Sequence, residues 1–270
     1  MDLELKDKVA VLTGAGGAIG GAIAEALAAE GAGVAIWDIS EEAASRVASG
    51  LRERGAKAIS CVCDVTDRDA VESALAETLR AFPTVDLLVN AAGGSRAQTT
   101  TSPDLPFFDI DQRDMEKVMA LNYLSAVLPS QAVGRILAEK REGAIVNIGS
   151  IAGDRPLSRA LTYSNAKAAI ASFTQWLAVH MAQEYSPRIR VNAVAPGFVL
   201  TDQNRFLLLE EQSGKLTSRG ETIISQVPMR RFGEPHEIAT LALLLASPRA
   251  SFLSGAVIPV DGGFTAFCGV

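Results

Sequence analysis

"VLTGAGGAIGGAIAEALAAEG", residues 11–31, decides the fold. The residues leading into its glycines, Lys8 to Leu12, form an apolar run of strand length. Those after them, Ala18 to Glu30, repeat apolar side chains at helical spacing. Gly14, Gly16, Gly17 and Gly20 lie at the junction. A strand, a glycine turn and a helix make one half of a mononucleotide-binding unit. Glycine lets the backbone approach a phosphate, and the helix N-terminus offers unpaired N–H groups and a positive dipole end. A purely structural glycine turn has the same local sequence, so the rest of the chain must discriminate.

Apolar runs of strand length recur at about 8–13, 33–38, 58–63, 85–90, 144–149, 190–194 and 256–260. Helical patterns fall between them at 18–30, 41–54, 67–81, 113–139, 160–184 and 236–246. Strands alternating with helices predict a parallel seven-stranded sheet covered on both faces through right-handed crossovers. No stretch has a linker-like composition and no tandem repeat is present, so residues 1–270 are expected to form one α/β, doubly wound domain. Two connections are too long to be simple links: about 94–112 after the fourth strand and about 197–235 after the sixth. Both leave C-terminal strand ends, where open parallel sheets bind ligands, and are expected to be substrate loops.

Composition narrows the partners. The chain is 48% hydrophobic and 21% charged, with a net charge of −6 and no basic stripe, which argues against nucleic acid. No run approaches the roughly 20 apolar residues that span a bilayer, so no membrane association is expected. The charged N-terminal octet does not read as a secretory signal. Three cysteines, Cys61, Cys63 and Cys268, fit a reducing cytoplasm better than a disulfide framework. Cys61 and Cys63 read as core residues, and the isolated His180 and His236 lack metal-ligand spacing, so no metal site is expected. An anionic substrate would need local arginines to overcome the overall charge.

The glycine spacing fits T-G-x-x-x-G-x-G from Thr13, with Ala18 in the middle glycine's place, and resembles the short-chain dehydrogenase/reductase family. Asp38 ends the second strand, 24 residues after Gly14. A carboxylate there accepts hydrogen bonds from ribose hydroxyls and repels a 2′-phosphate, favouring NAD over NADP. Downstream, "SIAGDRPLSRALTYSNAKAAI" places Ser150 at a strand end, 13 residues before Tyr163, with Lys167 one helical turn further on. Tyr163 and Lys167 share a helix face. An ammonium beside a phenol is expected to lower its pKa and make it a usable acid/base near neutral pH.

With these motifs the family resemblance covers nearly the whole chain and implies a Rossmann fold and an alcohol/carbonyl redox step. It implies Tyr163 as acid/base, Ser150 orienting the reacting oxygen, Lys167 on the nicotinamide ribose and Asn122 anchoring a proton-relay water. For the cofactor it implies the turn Gly14, Gly16, Gly17, Ile19 and Gly20, then Asp38 with Ile39, and the adenine-contacting pair Asp64 and Val65. It adds Asn90, Ala91, Ala92 and Gly93 from "NAAGG", where the family has N-N-A-G, and Pro196, Gly197, Val199 and Thr201 from "PGFVLT". "PVDGGF", 259–264, matches a strand and turn that often pack in a tetramer, which implies a homotetramer.

Within the family, "LPSQAVGRIL", "FTQWLAVHMA", "PGFVLTDQNRFLL" and "GAVIPVDGGFTAFCGV" resemble the D-mannonate oxidoreductase (fructuronate reductase) branch. That implies a sugar-acid substrate. Candidate substrate residues are Ser95, Arg155, Asn204 and Arg205, with Gln203, Arg96 and Arg159 nearby in sequence and Arg205 the first choice for the carboxylate. Where the branch has another tripeptide, this chain has Ser95-Arg96-Ala97. Another sugar acid, a polyol, a keto acid or a 3-oxoacyl substrate stays open. So does a catalytically silent nucleotide-binding sensor.

Overall fold

The strands are almost wholly apolar because both faces of the sheet are covered. In the computed structural model, which describes residues 2–201, 204–211 and 213–269, seven strands form one sheet: β1 Val9–Thr13, β2 Gly33–Asp38, β3 Ala58–Val62, β4 Leu87–Asn90, β5 Gly143–Ile148, β6 Ile189–Pro196 and β7 Val257–Val260. Their order is β3-β2-β1-β4-β5-β6-β7, all parallel. The order reverses between β1 and β4, which creates the crevice where doubly wound sheets take their ligands.

Side chains alternate between two cores. Ala10, Leu12, Val34, Ile36, Val89 and Val146 face one core with α1 (Ala18–Ala29), α2 (Glu41–Glu53) and α9 (Pro235–Ala246). Val11, Trp37, Leu88, Ile145 and Val191 face the other with α3 (Arg68–Ala81), α5 (Ser125–Lys140) and α6 (Leu161–His180). Cys61 and Cys63 lie in the second core as free thiols. Burial pushes their pKa values up to about 11 and about 12.

The sequence pattern at 113–139 predicts one helix, and the structure divides it. α4 (Gln112–Met119) runs into a π-helical turn, Ala120–Leu124, before α5 begins at Ser125. α6 likewise ends in a π turn, Met181–Tyr185, closed by Ser186 N donating to the Met181 carbonyl. A single inserted residue leaves the apolar spacing nearly intact, so periodicity does not register it.

The connection 94–112 carries two short 3₁₀ turns, Ala97–Thr99 and Phe107–Asp109. The excursion 197–235 is not open loop. It holds α7 (Arg205–Leu208) and α8 (Ser218–Gln226), and its stems pair through Val199 and Gly233.

Buried Arg190 on β6 fastens α9 to the sheet. Its guanidinium donates to the carbonyls of Leu245, Ala246 and Ser247 at 2.8, 3.3 and 2.9 Å, satisfying C-terminal helix acceptors and opposing the helix dipole. Replacing Arg190 with Ala should destabilise the fold by about 3 kcal/mol, since buried acceptors lose a charged donor. In thermal unfolding that is a Tm roughly 6–12 °C lower. A loss under 1 °C would remove Arg190 from this role.

Candidate active site

The C-terminal ends of β1 and β4 meet at the switch point. Thr13 Oγ1 accepts from Ala91 N and Ala92 N at 3.1 and 3.3 Å, joining the glycine turn to "NAAGG". Gly14 has φ +63°, and a Cβ there would stand 2.6 Å from Ala92 Cα. α2, α3 and α4 begin under the side-chain caps Ser40, Asp67 and Asp111. α1 follows Gly17, which offers no side-chain cap, so its first-turn N–H groups are available to a phosphate. Ala18 is exposed at this end, and its methyl does not block the turn.

Asp38 lies beside this turn. Its Oδ2 accepts from Gly16 N and its Oδ1 from Ser40 N, both at 2.9 Å. The anchored carboxylate keeps lone pairs for ribose hydroxyls, and exposed Ile39 follows it. Asp64 is exposed, with Oδ1 held by Thr66, while Val65 is buried. A glycine turn, an uncapped helix and an anchored acid fit a dinucleotide. Asn90 differs from its neighbours in the set. Its side-chain amide donates to the Ala126 carbonyl, Ser130 and Asn147 inside the core.

The π turn sets the next part of the site. Asn122, within it, is buried and makes a two-point bond with the backbone of Gly94. Its Oδ1 accepts from Gly94 N and its Nδ2 donates to Gly94 O, both at 2.9 Å. Nδ2 also donates to the Val118 carbonyl. A Cβ on Gly93 would stand 2.8 Å from Asn122 Oδ1 and 3.3 Å from Lys167 Nζ. Gly93, Asn122 and Lys167 therefore form one cluster, and a side chain at 93 would break it. Sequence reading missed Gly94 and the Ile148 carbonyl. An asparagine in mid-helix is the signal that could have pointed to the first.

Lys167 is buried, and its Nζ donates to Ile148 O at 2.9 Å and stands 5.7 Å from the Tyr163 ring centroid. Ser150 hydrogen-bonds Tyr163, and its Oγ accepts from Ala152 N. The expected lowering of the Tyr163 pKa is not found. Burial raises it, and the Ser150 hydrogen bond only partly opposes this. Burial also lowers Lys167, from 10.5 to about 8, which weakens its hold on a phenolate. Phenol, hydroxyl and ammonium together can hold or move a proton at an oxygen placed beside them.

The substrate candidates fare unevenly. Asn204 is occupied at both ends: Oδ1 accepts from Thr201 N and Nδ2 donates to Val199 O, each at 2.8 Å. It fastens the turn after β6 through one N–H of Nδ2, and the second N–H makes no bond among the described residues. Arg155 pairs with Asp154 at 4.0 Å and donates to Phe267 O at 3.5 Å. Ser95 lies 3.4 Å from Thr100 Oγ1. Arg159 has φ +71°, and its carbonyl accepts from Thr101 N, tying the loop before Tyr163 to the 94–112 connection. Arg205 is exposed at the start of α7. Asp202 and Gln203 lie outside the described residues.

The depressed Lys167 pKa has a consequence for stability. Between about 8 and 10.5 the unfolded chain holds a proton that the folded chain has lost, so stability rises with pH across this window. Relative to Lys167→Met, the wild type should gain on the order of 3 kcal/mol of unfolding free energy from about pH 7 to about pH 11. Urea titrations of both proteins measure this, and a flat difference would contradict it.

Known proteins share this architecture. A short-chain dehydrogenase/reductase model described as Enoyl-(Acyl carrier protein) reductase matches residues 14–265. The chain is 40% identical over 276 residues to the Uncharacterized oxidoreductase UxuB of Bacillus subtilis, covering 99% of this chain and 98% of that one. It is 39% identical to Galactitol 2-dehydrogenase (L-tagatose-forming) of Cereibacter sphaeroides, over 97% of this chain and 96% of the relative. A crystal structure of a candidate D-mannonate oxidoreductase from Haemophilus influenzae, solved with bound NAD, superposes with a TM-score of 0.92 at 37% identity, covering 98% of each chain. The glycine turn, the anchored Asp38 and the Ser150–Tyr163–Lys167 cluster are thus carried by a chain that belongs to the short-chain dehydrogenase/reductase family and acts as an NAD-dependent oxidoreductase.

Proposed function

We propose that the protein interconverts D-mannonate and D-fructuronate, as one domain with the connections 94–112 and 197–235 over its substrate. The supporting observation is the full-length likeness to the NAD-bound candidate D-mannonate oxidoreductase. NAD, held along Gly14–Gly20, Asp38–Ile39, Asp64–Val65, the Asn90–Gly93 backbone and Pro196–Thr201, supplies or accepts the hydride. Tyr163 Oη hands a proton to the carbonyl oxygen or takes it from the alcohol. Ser150 Oγ donates a hydrogen bond to the same oxygen and fixes its place. Lys167 holds the ribose, and Asn122 fixes the Gly94 backbone beside this cluster. The raised Tyr163 pKa keeps the phenol protonated at neutral pH, the form that reduction needs. Oxidation, which needs phenolate, should quicken as pH rises.

The polyol reading keeps a specific support in the likeness to galactitol 2-dehydrogenase. A panel of D-fructuronate, other keto acids and polyols, followed at the nicotinamide absorbance, separates the two. D-fructuronate with NADH should give the highest kcat/KM, and Tyr163→Phe should nearly abolish turnover while NADH still binds. A polyol turned over faster than D-mannonate would replace the sugar-acid reading.

The protein carries −6 net charge, so the acid needs a cation at the site. The Arg205 guanidinium has no hydrogen-bond or ion-pair partner among the described residues, whereas that of Arg155 is already engaged. Arg205→Ala should raise the KM for D-fructuronate about 10- to 100-fold, the worth of one charge-assisted hydrogen bond of roughly 1.5–3 kcal/mol. An unchanged KM would exclude Arg205.

We also place the protein in the cytoplasm as a homotetramer. Among the described residues no helix is long and apolar enough to cross a membrane. Exposed Trp176 lines a groove of about 1000 Å³ between α5 and α6, Val179 is exposed on α6, and Phe252 is fully exposed before β7. That groove is lined by Tyr123, Phe173 and His180 and lies apart from the Ser150–Tyr163–Lys167 cluster. An apolar face of this kind suits a second copy of the chain.

A further inference from the structure

Three donors converge on the carboxylate of Asp261, just past β7. Oδ1 accepts from Gly263 N at 2.9 Å, while Oδ2 accepts from Thr265 N at 2.8 Å and Thr265 Oγ1 at 2.7 Å. The resulting turn touches both stems of the 197–235 excursion. At the outgoing stem, Gly197 N donates to Val260 O, and a Cβ on Gly197 would stand 2.7 Å from Asp261 Cα. Next to it, the Phe198 and Phe264 rings meet edge to face at 5.3 Å. At the returning stem, Met229 N donates to Gly262 O at 3.1 Å. The stems are also bonded to each other, Leu200 N to Gly233 O and Gly233 N to Phe198 O, both at 2.9 Å.

We propose that the turn 261–265 is the clamp that fixes the excursion over the active site, with Asp261 as its positioning residue. The outgoing stem contains Gly197, Val199 and Thr201, so the clamp reaches the cofactor through them. Only an ionised carboxylate accepts from all three donors, because a carboxamide would turn an NH₂ towards at least one of them. Burial pushes the Asp261 pKa up, but the bonds from Thr265 and Gly263 outweigh this and hold it below the usual carboxylate range. The clamp is therefore set at neutral pH and loosens only as pH falls through that lowered value. The proposal depends on the family chemistry alone and not on which substrate is reduced.

Amide hydrogen exchange with an NADH titration tests it without any substrate. Asp261→Asn should speed exchange at Leu200, Met229 and Gly233 at least about 10-fold, a loss of ~1.4 kcal/mol in local opening free energy, and leave Leu12 and Val89 unchanged. The NADH dissociation constant should rise severalfold. Phe264→Ala, which keeps the carboxylate, should speed Leu200 and Gly233 in the same way and carries the test alone if the Asn variant does not fold. Stem amides that exchange as in the wild type would overturn the proposal. So would stem amides that speed up only together with Leu12 and Val89, since the turn would then serve overall stability and not the excursion.

Discussion

The closeness of two backbones at the sheet's switch point governs this molecule. Gly14 and Ala92 sit where any side chain on Gly14 would collide with the opposite strand's exit, and Thr13 Oγ1 bonds that exit directly. The crevice can therefore be narrow enough for backbone N–H groups to grip a ligand. An arrangement of this kind costs conformational entropy in the glycines. It works because the strands on either side are rigid: Leu12, Ile36, Val89 and Val146 are fully buried and locked in a parallel register.

From that crevice the chemistry spreads by short polar links and not through the apolar core. Asn122 grips Gly94, Gly93 makes room for Lys167, and Lys167 bonds the end of β5, from which Ser150 follows. Each link spans two different elements, so the site assembles only when α4, α6 and the sheet are docked together. The π turn makes the first link possible. Its extra residue disturbs the helix ladder at Asn122 and lets the side chain bond both Val118 and Gly94.

The same burial that orders the cluster sets its electrostatics. Lys167 is pulled towards neutrality and Tyr163 towards the phenol. The sequence-level picture of an ammonium lowering a neighbouring phenol considers only the pair. Desolvation acts on both partners at once and is the largest cause of each shift.

The sequence by itself determined every strand to within two residues at both ends, the alternation that makes the sheet parallel, and the glycine turn with Asp38. These are local properties: apolar runs, periodicity and glycine spacing report directly on the backbone they build. It also placed Tyr163 and Lys167 on one helix face, because a four-residue separation fixes that geometry. Only the tertiary structure decided what each polar side chain is bonded to. Asn90 spends its amide on Asn147 and Ser130, Asn204 on its own turn, and Arg155 on Asp154 and Phe267, none of which spacing could reveal. The break at Asn122 and the contacts of the 261–265 turn with both stems of the excursion were likewise hidden. A hydrogen bond between residues far apart in the chain leaves no periodic trace, and the direction of a pKa shift depends on how much water the finished fold excludes.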